Sequence, residues 1–484
     1  MRTAHGIQAM ALQTGAQLLV ALAGYLTTVI LAAGLGPALF GAYSLVYGTL
    51  LATEVIGRLG LPAALTGQVA AAGSDAARIA GSGMLLGAIT YLQLFAGFWL
   101  AAPALAGALN VADGPRLFRI AALDIPFYGL LFVGNAILNG RQRFTAAALV
   151  TTIYALAKAV GIVGLAWYGI SIGGALLVNV AASAIGLLVG VLAAHGELGR
   201  ADRAAMRATI RLALPLSVRG VASQLLAVIG LWALGVSAAM VPPDAVGQYA
   251  AALSIGRVPI ILALGSGSVV VASVAAAVAR GAPDEARQVL ADTIRLMLML
   301  LLPAAAVTVV DGASLTTLLF GAAYAAAGPL LAVLFIGQGI GMTLLMILSA
   351  ALVGLGAMAA LLRANLGGLA VTILLLPLIL PLGALGAAVA TAAGCLTGVL
   401  LAGGAVRRRL GGWLAAGDLV RLGATSGAIA LLGWSLPGQG LLLLAELAAL
   451  GLATVLLLLA VGLVRPAQLR GLLRRRRKAA VATR

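Results

Sequence analysis

Pro37-Ala38-Leu39-Phe40-Gly41-Ala42-Tyr43 separates two long apolar runs near the start of the chain, and Pro243-Asp244-Ala245-Val246-Gly247-Gln248-Tyr249 separates two more. Proline, glycine and tyrosine fall at matching places in the two stretches, which marks an internal repeat. Two shorter pairs follow in the same order: Gly114-Pro115 with Gly328-Pro329, and Gly173-Gly174-Ala175 with Gly386-Ala387-Ala388. The offsets of 206, 214 and 213 residues each span six apolar runs. Six is even, so both halves cross a bilayer in the same sense and are related by an axis along the membrane normal.

The runs around these junctions identify the solvent. Of the 484 residues, 63% are hydrophobic and 9% are charged, against about 25% charged in an ordinary soluble domain. Apolar runs fall near 8–33, 38–70, 81–102, 116–140, 144–168, 171–194, 209–240, 244–279, 289–311, 325–353, 357–380, 383–405, 419–436 and 440–464. Each is long enough for a bilayer helix of about 20 residues. The expected fold is an all-α polytopic membrane protein of about fourteen transmembrane helices. Two six-helix lobes, 1–196 and 197–406, are related by a pseudo-two-fold along the membrane normal. Two extra helices over 407–464 and a basic cytoplasmic tail over 465–484 follow.

Charge sets the orientation. With both termini inside, inner loops, flanking helix ends and termini hold 24 of the 30 Arg and Lys residues, while outer connections hold Arg116 and Arg119. That asymmetry follows the positive-inside rule. Eight bases lie in the last twenty residues, including Arg474, Arg475, Arg476, Arg477 and Lys478. A basic run beyond a hydrophobic helix is an element for anionic headgroups, so membrane lipid is the expected partner and nucleic acid is not. The single cysteine, Cys395, and the two histidines, His5 and His195, leave no set for a disulfide or a zinc centre. No cofactor or metal is expected.

A charge deep in a bilayer is costly and needs a purpose. Glu54 and Arg58 lie four apart on span two, as an ion pair or as a phosphate contact with its partner. Arg219 and Arg257 stand inside spans seven and eight with no acid nearby in sequence, and Lys158 lies in span five. Asp124 comes two residues before Pro126, where span four is expected to kink, and could hold a cation, carry a proton or pair with Lys158. Arg363 and Glu446 are expected to snorkel from helix ends. Asn135 and Asn139 share a face suited to interhelical hydrogen bonds. The deep group therefore sums to +2, which suits an anionic headgroup, since arginine offers a fork to phosphate oxygens and stays charged.

The stretch from Leu35 through Pro37, Gly41 and Tyr43 to Ser44 resembles the opening loop of the lipid-linked oligosaccharide flippases of bacterial polysaccharide biosynthesis, the Wzx type. Arg58-Leu59-Gly60-Leu61-Pro62-Ala63-Ala64-Leu65-Thr66 is similar to their next motif. Leu319-Phe320-Gly321-Ala322-Ala323-Tyr324 and Pro381-Leu382-Gly383-Ala384-Leu385-Gly386-Ala387-Ala388 resemble later landmarks. Two positions depart: Arg58 stands where the family usually has an acid, and Gly67 where it often has a base. The resemblance implies the fold of the multidrug/oligosaccharidyl-lipid/polysaccharide (MOP) superfamily, with two six-helix lobes in a V working by alternating access. It implies transfer of a polyprenyl-pyrophosphate-linked oligosaccharide from the inner to the outer leaflet of a bacterial cell membrane, with polysaccharide-assembly proteins as possible partners.

Site expectations follow from the two readings together. Arg58, Arg219, Arg257 and Lys158 are candidates for the anionic headgroup, and Glu54 and Asp124 for coupling or ion pairing. A small-molecule antiporter of the same superfamily is the nearest alternative, although a cationic substrate would want acids to dominate. A membrane glycan polymerase or glycosyltransferase would need a large polar loop or acids at an interface. The longest outer connection, about Ala101 to Pro115, carries only Asp113. A transporter rather than an enzyme is expected.

Overall fold

The structure is a computed structural model, and it describes residues 2–58, 60–412, 416–435, 438, 440 and 442–460, without the side chains of 2–14, 215–220, 264 and 416. Leu59 and the basic tail from Arg465, with its run Arg474–Lys478, lie outside the described residues. Among the described residues every regular element is helical: α1 (Arg2–Arg58), α2 (Leu61–Ala71), α3 (Ala76–Ala108), α4 (Gly114–Ala122), α5 (Asp124–Gly140), α6 (Phe144–Tyr168), α7 (Ile172–Ala193), α8 (Arg203–Val236) and α9 (Ala245–Gly256). These are followed by α10 (Ile260–Ala279), α11 (Pro283–Phe320), α12 (Ala327–Leu334), α13 (Met342–Gly354), α14 (Met358–Leu375), α15 (Ile379–Leu382), α16 (Ala384–Leu410), α17 (Ala416–Ser435) and α18 (Leu442–Ala460). An all-helical chain is what a bilayer requires, because only a helix satisfies its own backbone polar groups without water or a partner strand.

Among the described residues, eleven stretches are long and apolar enough to cross a bilayer. The first, Gly15–Ala71, contains two crossings, divided at Gly36, whose φ of 72° and ψ of 168° break α1 just before Pro37. Val221–Val236 within α8 is shorter, and α17 carries Asp418 and Arg421. With these the chain makes the fourteen crossings expected.

Several crossings are interrupted at sequence-coded breaks. Span two pauses at Gly60, whose φ of 86° suits a residue without Cβ. Span four breaks at Leu123, so Asp124 opens α5 with Pro126 in its first turn, where the missing N–H leaves no helical bond unmade. Span eight breaks at Arg257–Pro259, between α9 and α10. Span ten carries a π-helical turn at Phe335–Gly341.

The chain forms two compact units, Met1–Ser254 with Asn365–Gly394, and Ile255–Ala364 with Cys395–Arg484. In the first, Leu131 and Leu138 of α5, Val150 and Tyr154 of α6 and Ala182 of α7 form a packed core. The two repeat junctions also meet inside this unit. A Cβ on Gly247 would stand 1.8 Å from the Pro37 carbonyl oxygen, and one on Gly41 would stand 2.8 Å from the Gly247 nitrogen. In the second unit, Ala306 of α11, Ile429 of α17 and Leu450 of α18 form a separate core.

Candidate functional site

Four deep charges of the first unit, from three helices, gather in one place. Glu54 and Arg58 come from the last two turns of α1, Asp124 from the start of α5 and Lys158 from the middle of α6. Glu54 is 3% exposed, Asp124 1% and Lys158 8%, and no membrane is needed to bury them.

The four do not sort into opposite-charge pairs. The Glu54 and Asp124 carboxyls adjoin each other. Asn179 of α7 donates from Nδ2 to Asp124 Oδ2 at 2.5 Å, and the buried Ser183 lies beside the same carboxyl. Glu54 Oε1 and Asp124 Oδ1 receive no donor from any other side chain. Asp124 is also the first residue of α5, at the helix end whose exposed N–H groups favour negative charge.

The bases instead rest on aromatic rings. The Arg58 guanidinium carbon lies 4.2 Å from the Phe132 ring centroid and 5.1 Å from that of Tyr128, within cation–π range. Lys158 donates from Nζ to the Tyr47 hydroxyl at 2.9 Å. Neither base makes an ion pair among the described residues, and Arg58 Nε is buried without an acceptor. The spacing of Glu54 and Arg58 allowed a mutual pair. Arg58, however, is the terminal residue of α1, and its side chain reaches to α5. The alternative pairing of Asp124 with Lys158 is likewise not made.

Around these groups the aromatic side chains are continuous. Tyr43 and Tyr47 stack at 5.5 Å with planes 7° apart, and Tyr128 lies 4.9 Å from Phe132 and 5.4 Å from Tyr154. The wholly buried Tyr91 fits between Gly57 and Gly129, where a Cβ would stand 3.1 Å and 2.3 Å from its ring, and its hydroxyl has no partner. Apart from Tyr43, which marks the repeat, these tyrosines carry no signal in the sequence, because aromatic residues scattered through apolar helices have no spacing pattern. Asn135 donates to Thr151 Oγ1 at 3.2 Å, the interhelical bond expected of it.

The other two candidates lie elsewhere. Arg257 belongs to the second unit, in the break between α9 and α10 rather than within a helix, near enough to the buried Cys395 for its charge to act on that thiol. Arg219 is in α8, and its side chain lies outside the described residues. The second unit also buries two acids. Glu446 does not snorkel: it is buried and accepts from the Gly438 N–H at 2.7 Å, because α18 packs that turn against α11 and α17. Asp311, which sequence reading omitted, is buried where α11 departs from helical geometry, near Glu446.

A family model described as "Polysaccharide biosynthesis protein" matches residues 8–272, a stretch that contains the whole of the charged and aromatic cluster. No curated protein matches the chain in sequence. Among solved structures, the chain is similar to one described as lipid II flippase MurJ in an inward closed conformation, with TM-score 0.75 and 16% identity over 93% of this chain and 98% of that one. It is also similar to an inward-facing multidrug resistance MATE family transporter of the MOP superfamily, with TM-score 0.67 and 17% identity over 81% and 94%. A MOP superfamily transporter from Pyrococcus furiosus gives TM-score 0.61 and 18% identity over 83% and 95%. The fold is that of the MOP transporters.

Proposed function

Because this chain belongs to the polysaccharide biosynthesis protein family, we propose that it is an alternating-access flippase carrying a polyprenyl-pyrophosphate-linked oligosaccharide from the inner to the outer leaflet of a bacterial cell membrane. Its two six-helix lobes would rock about the substrate, with both termini cytoplasmic. The observation that carries this reading is the arrangement of Arg58 and Lys158. Both lie in an apolar bundle beside Glu54 and Asp124, yet each is held by aromatic groups and makes no ion pair with either acid among the described residues. A cation held in such surroundings by rings and a hydroxyl rather than by a direct ion pair suits an incoming anion, and a pyrophosphate supplies several charged oxygens.

In this reading Arg58 and Lys158 receive the headgroup in the first unit, and Arg219 and Arg257 receive it elsewhere along the path. Glu54 and Asp124 act as the coupling pair. Two adjoining carboxyls in apolar surroundings are satisfied by one proton between them, with Asn179 holding Asp124 in place. The same acid pair is what a small-molecule antiporter would use, so the two readings differ in what the bases do.

The test is surface glycan in cells depleted of the native protein, with membrane abundance checked by immunoblot. Arg58→Gln and Arg257→Ala should each lower export by roughly tenfold or more, the loss of one charge-assisted contact worth about 1.5–3 kcal/mol. Arg58→Lys should recover only part, since the charge returns without the fork. Full export by both neutral variants at normal abundance would sink the anionic substrate and leave the antiporter.

A further inference from the structure

The first three turns of α8 carry an arginine stripe that the transport site does not use. Arg203, Arg207 and Arg211 are spaced by four and are all exposed. At 3.6 residues per turn they drift by about 40° each and form one ridge roughly 12 Å long. Ala205, Thr209 and Ala213 occupy the opposite side and are buried. That side is tied to span two: Thr209 Oγ1 donates to Gln68 Oε1 at 2.6 Å, and Gly60 lets the Ala213 carbonyl approach within 2.1 Å of where a Cβ would stand. The ridge therefore faces away from the unit because its back is fixed.

Nearby acids do not neutralise it. Arg78 pairs with Asp202 at 2.7 Å and with Asp75 at 3.1 Å. Arg141 and Arg143 share Glu197. Among the described residues, Arg203, Arg207 and Arg211 make no ion pair. Beside the ridge, Ile210 and Leu214 are 46% and 62% exposed. Guanidinium groups beside exposed aliphatic side chains match one kind of surface, the boundary where anionic headgroups meet acyl chains.

We propose that the Arg203–Arg207–Arg211 face of α8 is a binding surface for anionic phospholipid headgroups, which hold the lead-in to span seven at the membrane surface. The carboxylates of α8's own cap and of the adjoining loops are engaged elsewhere, so the phosphates of the leaflet are the counter-ions this face takes. Each arginine near such a surface contributes about a fivefold gain in affinity, and three together on the order of a hundredfold.

The test uses the full-length protein in zwitterionic detergent, with a single cysteine at Ala204 in a Cys395→Ala background carrying an environment-sensitive fluorophore. Ala204 is exposed beside the ridge. Short-chain phosphatidylglycerol should give a saturable shift that weakens with salt, and phosphatidylcholine should not. Arg203→Gln/Arg207→Gln/Arg211→Gln should raise the apparent Kd on the order of a hundredfold, each single change about fivefold, and the triple Lys variant only a few-fold. The salt series needs no substitution, so it judges the proposal even if the triple Gln variant fails to fold. Equal responses to the two lipids, or a phosphatidylglycerol response unmoved by salt, would overturn it. So would a label silent to lipid that responds to an acidic protein added without lipid, which would make this a protein-docking face.

Discussion

Replacing Gly247 by alanine tests the mechanical half of the flippase reading. The two repeat junctions touch backbone to backbone: the new Cβ would stand 1.8 Å from the Pro37 oxygen, 2.6 Å from its carbonyl carbon and 2.9 Å from its Cα. A carbon and a carbonyl oxygen normally approach no closer than about 3.3 Å, so the segments must part by roughly 1.5 Å. Neither side can yield by a rotamer change, because the obstructing atoms are backbone. Overpacking of this kind costs about 1–3 kcal/mol, a factor of about 5–150 against the touching arrangement. If junctions on the side proposed to face outward separate during transport, Gly247→Ala shifts the protein toward the separated state. Gly41→Ala, whose Cβ would meet Gly247 N at 2.8 Å and Val246 Cβ at 3.1 Å, should do so more weakly. The assay is labelling of the buried Val246→Cys by an impermeant maleimide in a Cys395→Ala background. Both alanine variants should label faster, in that order, and export less glycan. Unchanged labelling with normal export and abundance would refute the idea that this contact opens.

Other outcomes follow from the same geometry. Cysteines at Ala38 and Asp244, both exposed beside the junctions, should react with an impermeant reagent from outside intact cells; reaction only after permeabilisation reverses the topology. Lys158→Met should lower export by roughly tenfold or more through loss of a charged contact, and Tyr47→Phe, which removes only the acceptor of its hydrogen bond, should lower it less, both read as surface glycan. Hydrogen bonds from the Ala205 and Ala204 N–H groups, with Arg78 nearby, hold the Asp202 carboxyl below its usual 3.8. The stabilisation is complete above that value and disappears as pH falls through the lower folded one, so hydrogen exchange in the first turn of α8 should quicken only at strongly acidic pH and should be fast at all pH in Asp202→Ala. Truncation after Gly471 should lower membrane abundance at most; normal insertion without export would give the basic run a further role.

What the sequence made legible was whatever a bilayer forces on every residue of a segment. Fourteen apolar runs and the punctuation between them were readable because each run must satisfy its own backbone and each break needs a residue such as Gly36, Gly60 or Pro126. The contact of Gly41 with Gly247 gives the repeat a physical reason: two glycines 206 residues apart stand in equivalent places because either side chain would hold the junctions apart.

Partnerships among deep charges were less legible, since sequence spacing reports only neighbours on one helix. Glu54 and Arg58 are four apart, yet each turns to another element, Glu54 to Asp124 and Arg58 to Phe132 and Tyr128. Asp124 lies 70 residues from Glu54, and Asn179 a further 55, so no local pattern could join them. Glu446 looked like a helix-end acid free to reach water, but the packing of α11, α17 and α18 closes over it. A simple sum of deep charges also hides how they are grouped. Two of the four bases share a neighbourhood with both acids of the first unit, so opposite signs nominally cancel there. In the proposed reading, Arg58 and Lys158 can meet an anion because the acids adjoin one another while the two bases are held by rings and a hydroxyl. In the proposed flippase, the charge a substrate meets would therefore be set by who holds whom across helices, with the Glu54–Asp124 pair as a control on how strongly the two bases attract a headgroup.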